Sequence, residues 1–266
     1  MQPCLFSLSV CMATYNGAAH VGEQITSVLP QLGSSGEVIV VDDASCDGTV
    51  AALESFGDPR IRICRQESNR GAIMTFERAL EEAKGDIIFL SDQDDIWHGN
   101  KVEVILKTFE RLPHVTLVMS NAELIDASGR SLGNTLHQRE HVPLGLIPNL
   151  FKNRFQGCTI AFRRELLDAI LPFPDGIPMH DSWIGLVNAI VGKAAYISEP
   201  LMQYRRHGGN VTSGKHGRLG LMMAQRWRLG KALIRRAGVL MNVRRSLRAE
   251  AAMAKKELQE RKAAVK

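Results

Sequence analysis

Between residues 8 and 111 the chain alternates short apolar runs with segments of helical periodicity, four times over and with short connections. Leu8–Ala13, Glu37–Val41, Ile61–Arg65 and Asp86–Leu90 are the apolar runs. They show little alternation with polar residues, which is the pattern of strands buried on both faces. Between them, Ala19–Leu32 places Val21, Ile25, Val28, Leu29 and Leu32 at helical spacing, a second helix reaches about Phe56, and Ala72–Ala83 ends at Lys84-Gly85. Lys101–Arg111 is the fourth helix. Such a chain predicts an α/β fold: a mostly parallel, Rossmann-like sheet flanked by helices and joined by right-handed crossovers.

Ligands of open parallel sheets bind beyond the C-terminal ends of the strands. Thr14-Tyr15-Asn16, Asp42-Asp43, Asn69-Arg70 and Asp92-Gln93-Asp94-Asp95 all fall at that end, and four polar turns on one rim favour a site over four unrelated loops. The last turn is the most informative. Its three carboxylates repel one another, and burying them unpaired is costly. A hard divalent cation, which takes oxygen ligands, resolves that conflict. Taken alone, the same turn reads more readily as a solvated acidic cap on the helix that begins near Lys101; the neighbouring turns reverse that balance. No Gly-x-Gly-x-x-Gly follows the first strand and no Gly-x-x-x-x-Gly-Lys-Ser/Thr occurs, which disfavours a dinucleotide dehydrogenase or a P-loop NTPase. Bound phosphates would then need a metal on Asp92 and Asp94 to offset their charge.

Beyond residue 111 the pattern predicts a strand at Val115–Asn121, a turn at Asp126–Gly129 and an irregular surface segment over Leu132–Pro148. A short strand follows at Cys158–Phe162, then a helix at Arg164–Ile170 that Pro172-Phe173-Pro174 breaks. Met179-His180-Asp181-Ser182-Trp183 opens an apolar helix to about Val191, Ala194–Ile197 is a further strand, and Pro200–Asn210 closes the body.

Charge divides the chain. From Arg218 to Lys266 the net is +11, against −6 for the rest. We therefore expect a body over 1–217 and a basic helical tail over 218–266. A mildly acidic body argues against nucleic acid as a partner. The tail carries Leu229, Leu233, Leu240, Val243, Leu247 and Ala251 along one helical stripe, with Arg228, Lys231, Arg235, Arg245 and Arg248 largely off it. Two readings stay open: an amphipathic helix on an anionic membrane surface, or a helix packed on the body or on another subunit. Gly230 and Gly238 predict a break into shorter pieces. Five scattered cysteines without a Cys-x-x-Cys pair suit reduced thiols and a cytoplasmic setting. The run Leu5–Ala13 lacks a basic start and reads as a strand, not a secretory signal, and no run is long enough to span a bilayer. The expectation is a soluble body, peripheral at the inner face of the membrane if the tail binds lipid.

Val10-Cys-Met-Ala-Thr-Tyr-Asn16, Val40-Val-Asp-Asp-Ala-Ser-Cys-Asp-Gly-Thr49 and Phe89-Leu-Ser-Asp-Gln-Asp-Asp-Ile-Trp97 resemble the successive signatures of glycosyltransferase family 2, the inverting enzymes of the GT-A fold. Asp92-Gln-Asp-Asp-x-Trp97, His180-Asp181-x-Trp183 and Tyr204-Arg-x-His207-x-x-Asn210 are similar to bacterial rhamnosyltransferase-type members. The resemblance spans roughly residues 5–212. It implies a nucleoside-diphosphate sugar donor, dTDP-rhamnose being the first to consider, and a hydroxyl acceptor on a glycan or lipid-linked oligosaccharide. Mg2+ or Mn2+ is the implied cofactor. Tyr15 would stack on or flank the base with Ala13 and Thr14 beside it, Asp43 would hydrogen-bond base or ribose, and Asp42 would support that loop. Arg70 and Gln93 would line the donor pocket. Asp92 and Asp94 match the Asp-x-Asp metal motif, with Asp94 favoured as the direct ligand, and Asp181 matches the catalytic base. Two positions depart from common patterns. Ala13 stands where many relatives carry a hydroxyl, which leaves the base contact to Thr14 or to backbone, and His180 replaces an acid that often precedes the base.

The chemistry agrees with these assignments. A diphosphate leaves readily only if its charge is neutralised, and a sugar hydroxyl attacks readily only if a carboxylate takes its proton. Trp97 and Trp183 read equally as sugar-site walls or core. His207, Arg205 and Arg206 read as metal or phosphate contacts or as ordinary loop residues. Gly157 and Cys158 serve close packing near the acceptor. The alternative from another class is a non-catalytic scaffold that binds nucleotide sugar or glycan.

Overall fold

A computed structural model describes residues 6–138, 140–207 and 219–264. In chain order the elements are β1 (Leu8–Thr14), α1 (Val21–Val28), β2 (Glu37–Asp42), α2 (Thr49–Glu54), β3 (Ile61–Arg65), α3 (Ala72–Glu81), β4 (Ile87–Asp92), β5 (Ile96–Trp97) and α4 (Lys101–Arg111). There follow β6 (Leu117–Ile125), β7 (Ser131–Thr135), α5 (Leu146–Phe151), β8 (Ile160–Arg163), α6 (Leu167–Ile170), α7 (His180–Val191), β9 (Ala194–Arg205), α8 (Leu219–Arg235) and α9 (Ala237–Ala264).

The strands form one sheet in the order β3-β2-β1-β4-β8-β6-β9-β5, with β7 paired to β6. β3, β2, β1 and β4 are mutually parallel, as are β6 and β9, while β8 lies antiparallel between β4 and β6. This mostly parallel sheet with helices on both faces is the expected α/β, GT-A-type fold. Alternate side chains of each strand enter different cores, as a period of two requires. Cys11, Ile39, Ile88, Leu90 and Phe162 point toward α3, α6 and α7, whereas Val10, Met12, Val40, Phe89 and Ala161 point toward α1 and α4. Burial on both faces is the reason these strands read as unbroken apolar runs.

Two segments differ from the sequence reading, and a third decides between its alternatives. The span Leu132–Pro148, expected to be irregular, contributes most of β7 and the start of α5. β9 runs past Ile197 to Arg205, and β5 pairs with its far end, Ile96 opposite Gln203 and Trp97 opposite Met202. The tail is helical and breaks at Arg236 between α8 and α9, beside Gly238; Gly230 is absorbed within α8. Its apolar stripe faces the body: Leu229, Leu240 and Leu247 are buried in the core that contains Trp183 and Ile170, with Leu233 and Val243 packed against it. Body packing, one of the two readings of the stripe, is what the structure adopts. Asn210 and the boundary at Gly217 lie outside the described residues. Among the described residues no helix is long and apolar enough to cross a membrane.

Candidate active site

Strand register builds the site. Thr14 lies opposite Asp42 and Ala13 opposite Asp92, so the ends of β1, β2 and β4 share one rim. A cleft of about 390 Å3 opens over it. Ala13, Thr14, Tyr15 and Asp43 line one end, Asp92, Gln93 and Asp94 the floor, and His180, Asp181, Tyr204 and His207 the remainder. Of the residues singled out in the sequence for the site, Asp42 and Arg70 are not in its wall.

At the first end, the Tyr15 side chain is 46% exposed, which leaves ring surface available for stacking. Its loop is fixed by Gln93, whose Oε1 accepts the Tyr15 N–H (2.8 Å) and whose Nε2 donates to the Tyr15 carbonyl (3.1 Å). A Cβ at position 17 would lie 2.2 Å from Gln93 Oε1, so the clamp requires glycine there. Gln93 lines the cleft but commits its amide to this loop. Asp43 is similarly engaged. Its Oδ1 accepts from the Arg70 N–H (2.7 Å) and Gln66 Nε2 (2.8 Å), and its Oδ2 from the Gly71 N–H (2.8 Å). Three donors on a carboxylate with about four acceptor positions leave roughly one for a ligand. Asp42 sits behind the wall, accepting from Thr14 Oγ1 (3.0 Å) and from the N–H and Oγ of Ser45 (2.9 and 2.5 Å). It ties the turn after β2 to the end of β1. Arg70 gives its backbone N–H to Asp43 and turns its side chain to a neighbouring groove.

The floor concentrates negative charge. Burial first, then the carboxylates of Asp94 and Asp181, push Asp92 up to about 7. Asp95, fully buried, is pushed well above the usual carboxylate range by burial first and then by the carboxylates of Asp92 and Asp94. His207 Nε2 lies 2.6 Å from Asp94 Oδ2, and the His207 ring stacks on His20. Two donor sets are available to a cation. Asp92, Asp94 and His207 all face the cleft. Asp92 also groups with the buried Asp95 and Cys158, the ligand atoms of the three lying within 4.8 Å of one another. In the second set burial holds the Cys158 thiol far above its normal range, and a hard cation prefers oxygen. That set also has a cation nearby already. Lys101 is fully buried, donates to the Cys158 carbonyl (2.8 Å), lies 4.3 Å over the Trp97 ring, and attracts Asp95 and Asp92. By donor type the cleft-facing set suits a hard cation better than the set with the thiol, while Lys101 offsets charge from behind.

Asp181 stands in the first turn of α7. It is not the N-cap, which is Met179. Its Oδ1 accepts from Asn153 Nδ2 (3.0 Å) and the Ser182 N–H (2.5 Å), and its Oδ2 from the Gly157 N–H (3.3 Å). Burial raises it to about 6 while these three donors pull it down. The carboxylate is thus ionised near neutral pH but basic enough to take a proton. Beside it His180 stacks on Phe76 at 4.1 Å; burial lowers it to about 3, so the imidazole is neutral.

Several open readings now resolve. Trp183 is fully buried and donates to the Ile170 carbonyl (2.9 Å), and Trp97 is 3% exposed; both are core. The Arg205 guanidinium holds the Asp94 carbonyl (2.8 Å) and Glu23 (2.6 Å), and the Arg205 backbone N–H donates to Asp95 Oδ1 (3.1 Å), so the residue braces the acidic turn. Gly157 does serve close packing: a Cβ there would meet His180 Nε2 at 2.8 Å. The roles of Asn153 and Lys101 leave no local signal, because their partners lie 28 and 57 residues away.

Known proteins resemble this chain in sequence and in fold. TuaG of Bacillus subtilis, described as a putative teichuronic acid biosynthesis glycosyltransferase, is 30% identical over 214 residues, covering 78% of this chain and 82% of that protein. WfgD of Escherichia coli, described as a UDP-Glc:alpha-D-GlcNAc-diphosphoundecaprenol beta-1,3-glucosyltransferase, is 31% identical over 165 residues, 61% of this chain and 62% of WfgD. The chain therefore spans less than two thirds of that relative. The mannosyltransferase PcManGT of Pyrobaculum calidifontis, solved with GDP-Man and Mn2+, shares the fold with a TM-score of 0.56 at 20% identity, over 97% of this chain and 79% of PcManGT. The family described as Glycosyl transferase family 2 matches residues 9–171, and the chain belongs to that family.

Proposed function

We propose that this chain is an inverting glycosyltransferase. It would move a sugar from a nucleoside diphosphate to a hydroxyl of a glycan or lipid-linked oligosaccharide. The observation that carries the reading is the meeting, in one cleft, of Asp92, Asp94 and His207 with the separately held carboxylate of Asp181. Tyr15 and the Asp43 loop receive the nucleotide. Asp92, Asp94 and His207 would hold Mg2+ or Mn2+, which when bound neutralises the diphosphate. Asp181 accepts the acceptor hydroxyl proton as that oxygen bonds to the anomeric carbon, while the bond from that carbon to the diphosphate breaks and its electron pair leaves with the phosphate. A single displacement of this kind inverts the anomeric centre. WfgD's UDP-Glc and diphosphoundecaprenol supply the analogy for donor and acceptor class. The subgroup motifs add dTDP-rhamnose to the donors to be tried.

The test is turnover of a panel of UDP-, GDP- and dTDP-sugars with a glycan or polyprenyl-diphosphate acceptor, with and without Mg2+ or Mn2+. Asp181→Asn is expected to lower kcat at least about a hundredfold with donor affinity nearly unchanged. Asp94→Asn is expected to lose metal-dependent nucleotide binding in calorimetry. Tight donor binding by the wild type without transfer to any acceptor would favour the scaffold reading instead.

A further inference from the structure

The apolar stripe of the tail is turned inward on the body, and the opposite face of α8 is outward. That face carries Trp227 and Ile234, 66% and 77% exposed and seven residues apart, hence on one side of the helix. Arg228, Lys231 and Arg235 stand among them, all exposed, and the Lys231 ammonium lies 4.8 Å over the Trp227 ring. The patch continues onto α5. Arg226 donates to the Phe151 carbonyl (2.9 Å), and Phe151 and Ile147, 75% and 69% exposed, are four residues apart on one helical face. Lys152 beside them is exposed. In the groove between α8 and the 172–176 loop, Asp175 is the one acid among the residues that line it.

We infer that the outward faces of α5 and α8 form a docking surface for an anionic bilayer. Four large apolar side chains in water are an unusual concentration for one flank. Interleaved with cations they match what a phospholipid surface offers: apolar depth for Phe151, Ile147 and Ile234, a headgroup layer for Trp227, and phosphates for the bases. Nucleic acid would use the cations and leave the aliphatic side chains in water. The location adds meaning. Asn153, two residues beyond Phe151, bonds Asp181, so the surface borders the side of the cleft where the base waits. Resting on the glycosyltransferase reading in this one respect, the inference makes the acceptor a lipid-linked glycan presented from the bilayer.

Full-length protein is mixed with phosphatidylcholine vesicles, with or without phosphatidylglycerol, and co-sedimentation is measured. Binding is expected to require the anionic lipid and to fall with salt. Phe151→Ser combined with Trp227→Ser, and separately Lys231→Glu combined with Arg235→Glu, should each weaken it about tenfold or more. Ile234→Ser provides an independent apolar variant if the first pair impairs folding. Because Trp97 and Trp183 are buried, a blue shift of emission on adding anionic vesicles reports Trp227 directly. Equal binding to neutral vesicles, or undiminished binding by the variants, overturns the inference. A dimer or a DNA complex that consumes this face, without vesicle binding, overturns it as well. No sugar transfer enters the measurement, so failure here and failure of the proposed activity are separate results.

Discussion

Asp181 illustrates how a carboxylate is prepared for proton transfer. Burial raises it to about 6, and three N–H donors oppose that rise. Two are backbone groups fixed by the fold. The third, Asn153 Nδ2, is a side chain held in place by its own turn, in which Nδ2 also reaches the Phe155 carbonyl and Oδ1 accepts the Phe155 N–H (both 3.1 Å). A hydrogen bond to a charged group is worth about 1.5–3 kcal/mol, which corresponds to roughly one to two pH units. The bond favours the ionised form, so its loss raises the pKa. Since the base must be ionised, Asn153→Ala should move the acidic limb of the kcat–pH profile upward by about one unit. Activity should recover at higher pH. A residue that merely supported the fold would depress kcat at every pH, and the profile distinguishes the two.

At the scale of elements, α4 is tied to the acidic turn by its first residue. Lys101 carries the cation behind β4, and burial lowers it to about 8 despite the attraction of Asp95 and Asp92. Lys101→Met would keep much of the volume but leave the Cys158 carbonyl unpaired and the buried carboxylates without their counter-charge. Breaking a buried charge arrangement costs about 3–5 kcal/mol, so the melting temperature should drop sharply; a near-normal melt would remove Lys101 from this role. The strands and helices before residue 111 were legible because each is announced locally, by an apolar run or a 3.6-residue period; β3 and α4 match their expected limits residue for residue. β5 and the extension of β9 were not. Their pairings join residues about a hundred positions apart, and Pro200 inside β9 argues locally against a strand. Asp42, Asp43, Asp92 and Asp94 were legible for the same reason as the early strands, since they stand at the strands' ends, whereas Asp181 opens a helix and was found through the family resemblance. Their partners Asn153, Lys101 and Arg205 were not, because a hydrogen bond across the fold leaves no mark on spacing.

For the molecule as a whole, charge and packing divide the chain differently. The +11 of residues 218–266 marks a boundary in composition, yet Leu229, Leu240 and Leu247 complete the core beneath α6 and α7. Arg236 adds hydrogen bonds to the Ala169 and Pro172 carbonyls (3.1 and 2.6 Å) at the loop that leads to His180 and Asp181. Each buried leucine is worth about 1.5–3 kcal/mol as an upper estimate, so removing the three would cost on the order of 5 kcal/mol. Typical domains have only about 5–15 kcal/mol in total. A chain ending at Gly217 should therefore melt far below the full-length protein or fail to fold, and it should lose nucleotide-sugar transfer even with a water-soluble acceptor. A tail that served only as a lipid anchor would predict the opposite: an unchanged melting temperature and full activity in the absence of vesicles. Thermal melts followed by circular dichroism, with transfer to a soluble acceptor measured on the same samples, decide between them. An unchanged melt for the truncated chain would show that α8 and α9 add nothing to the core they cover.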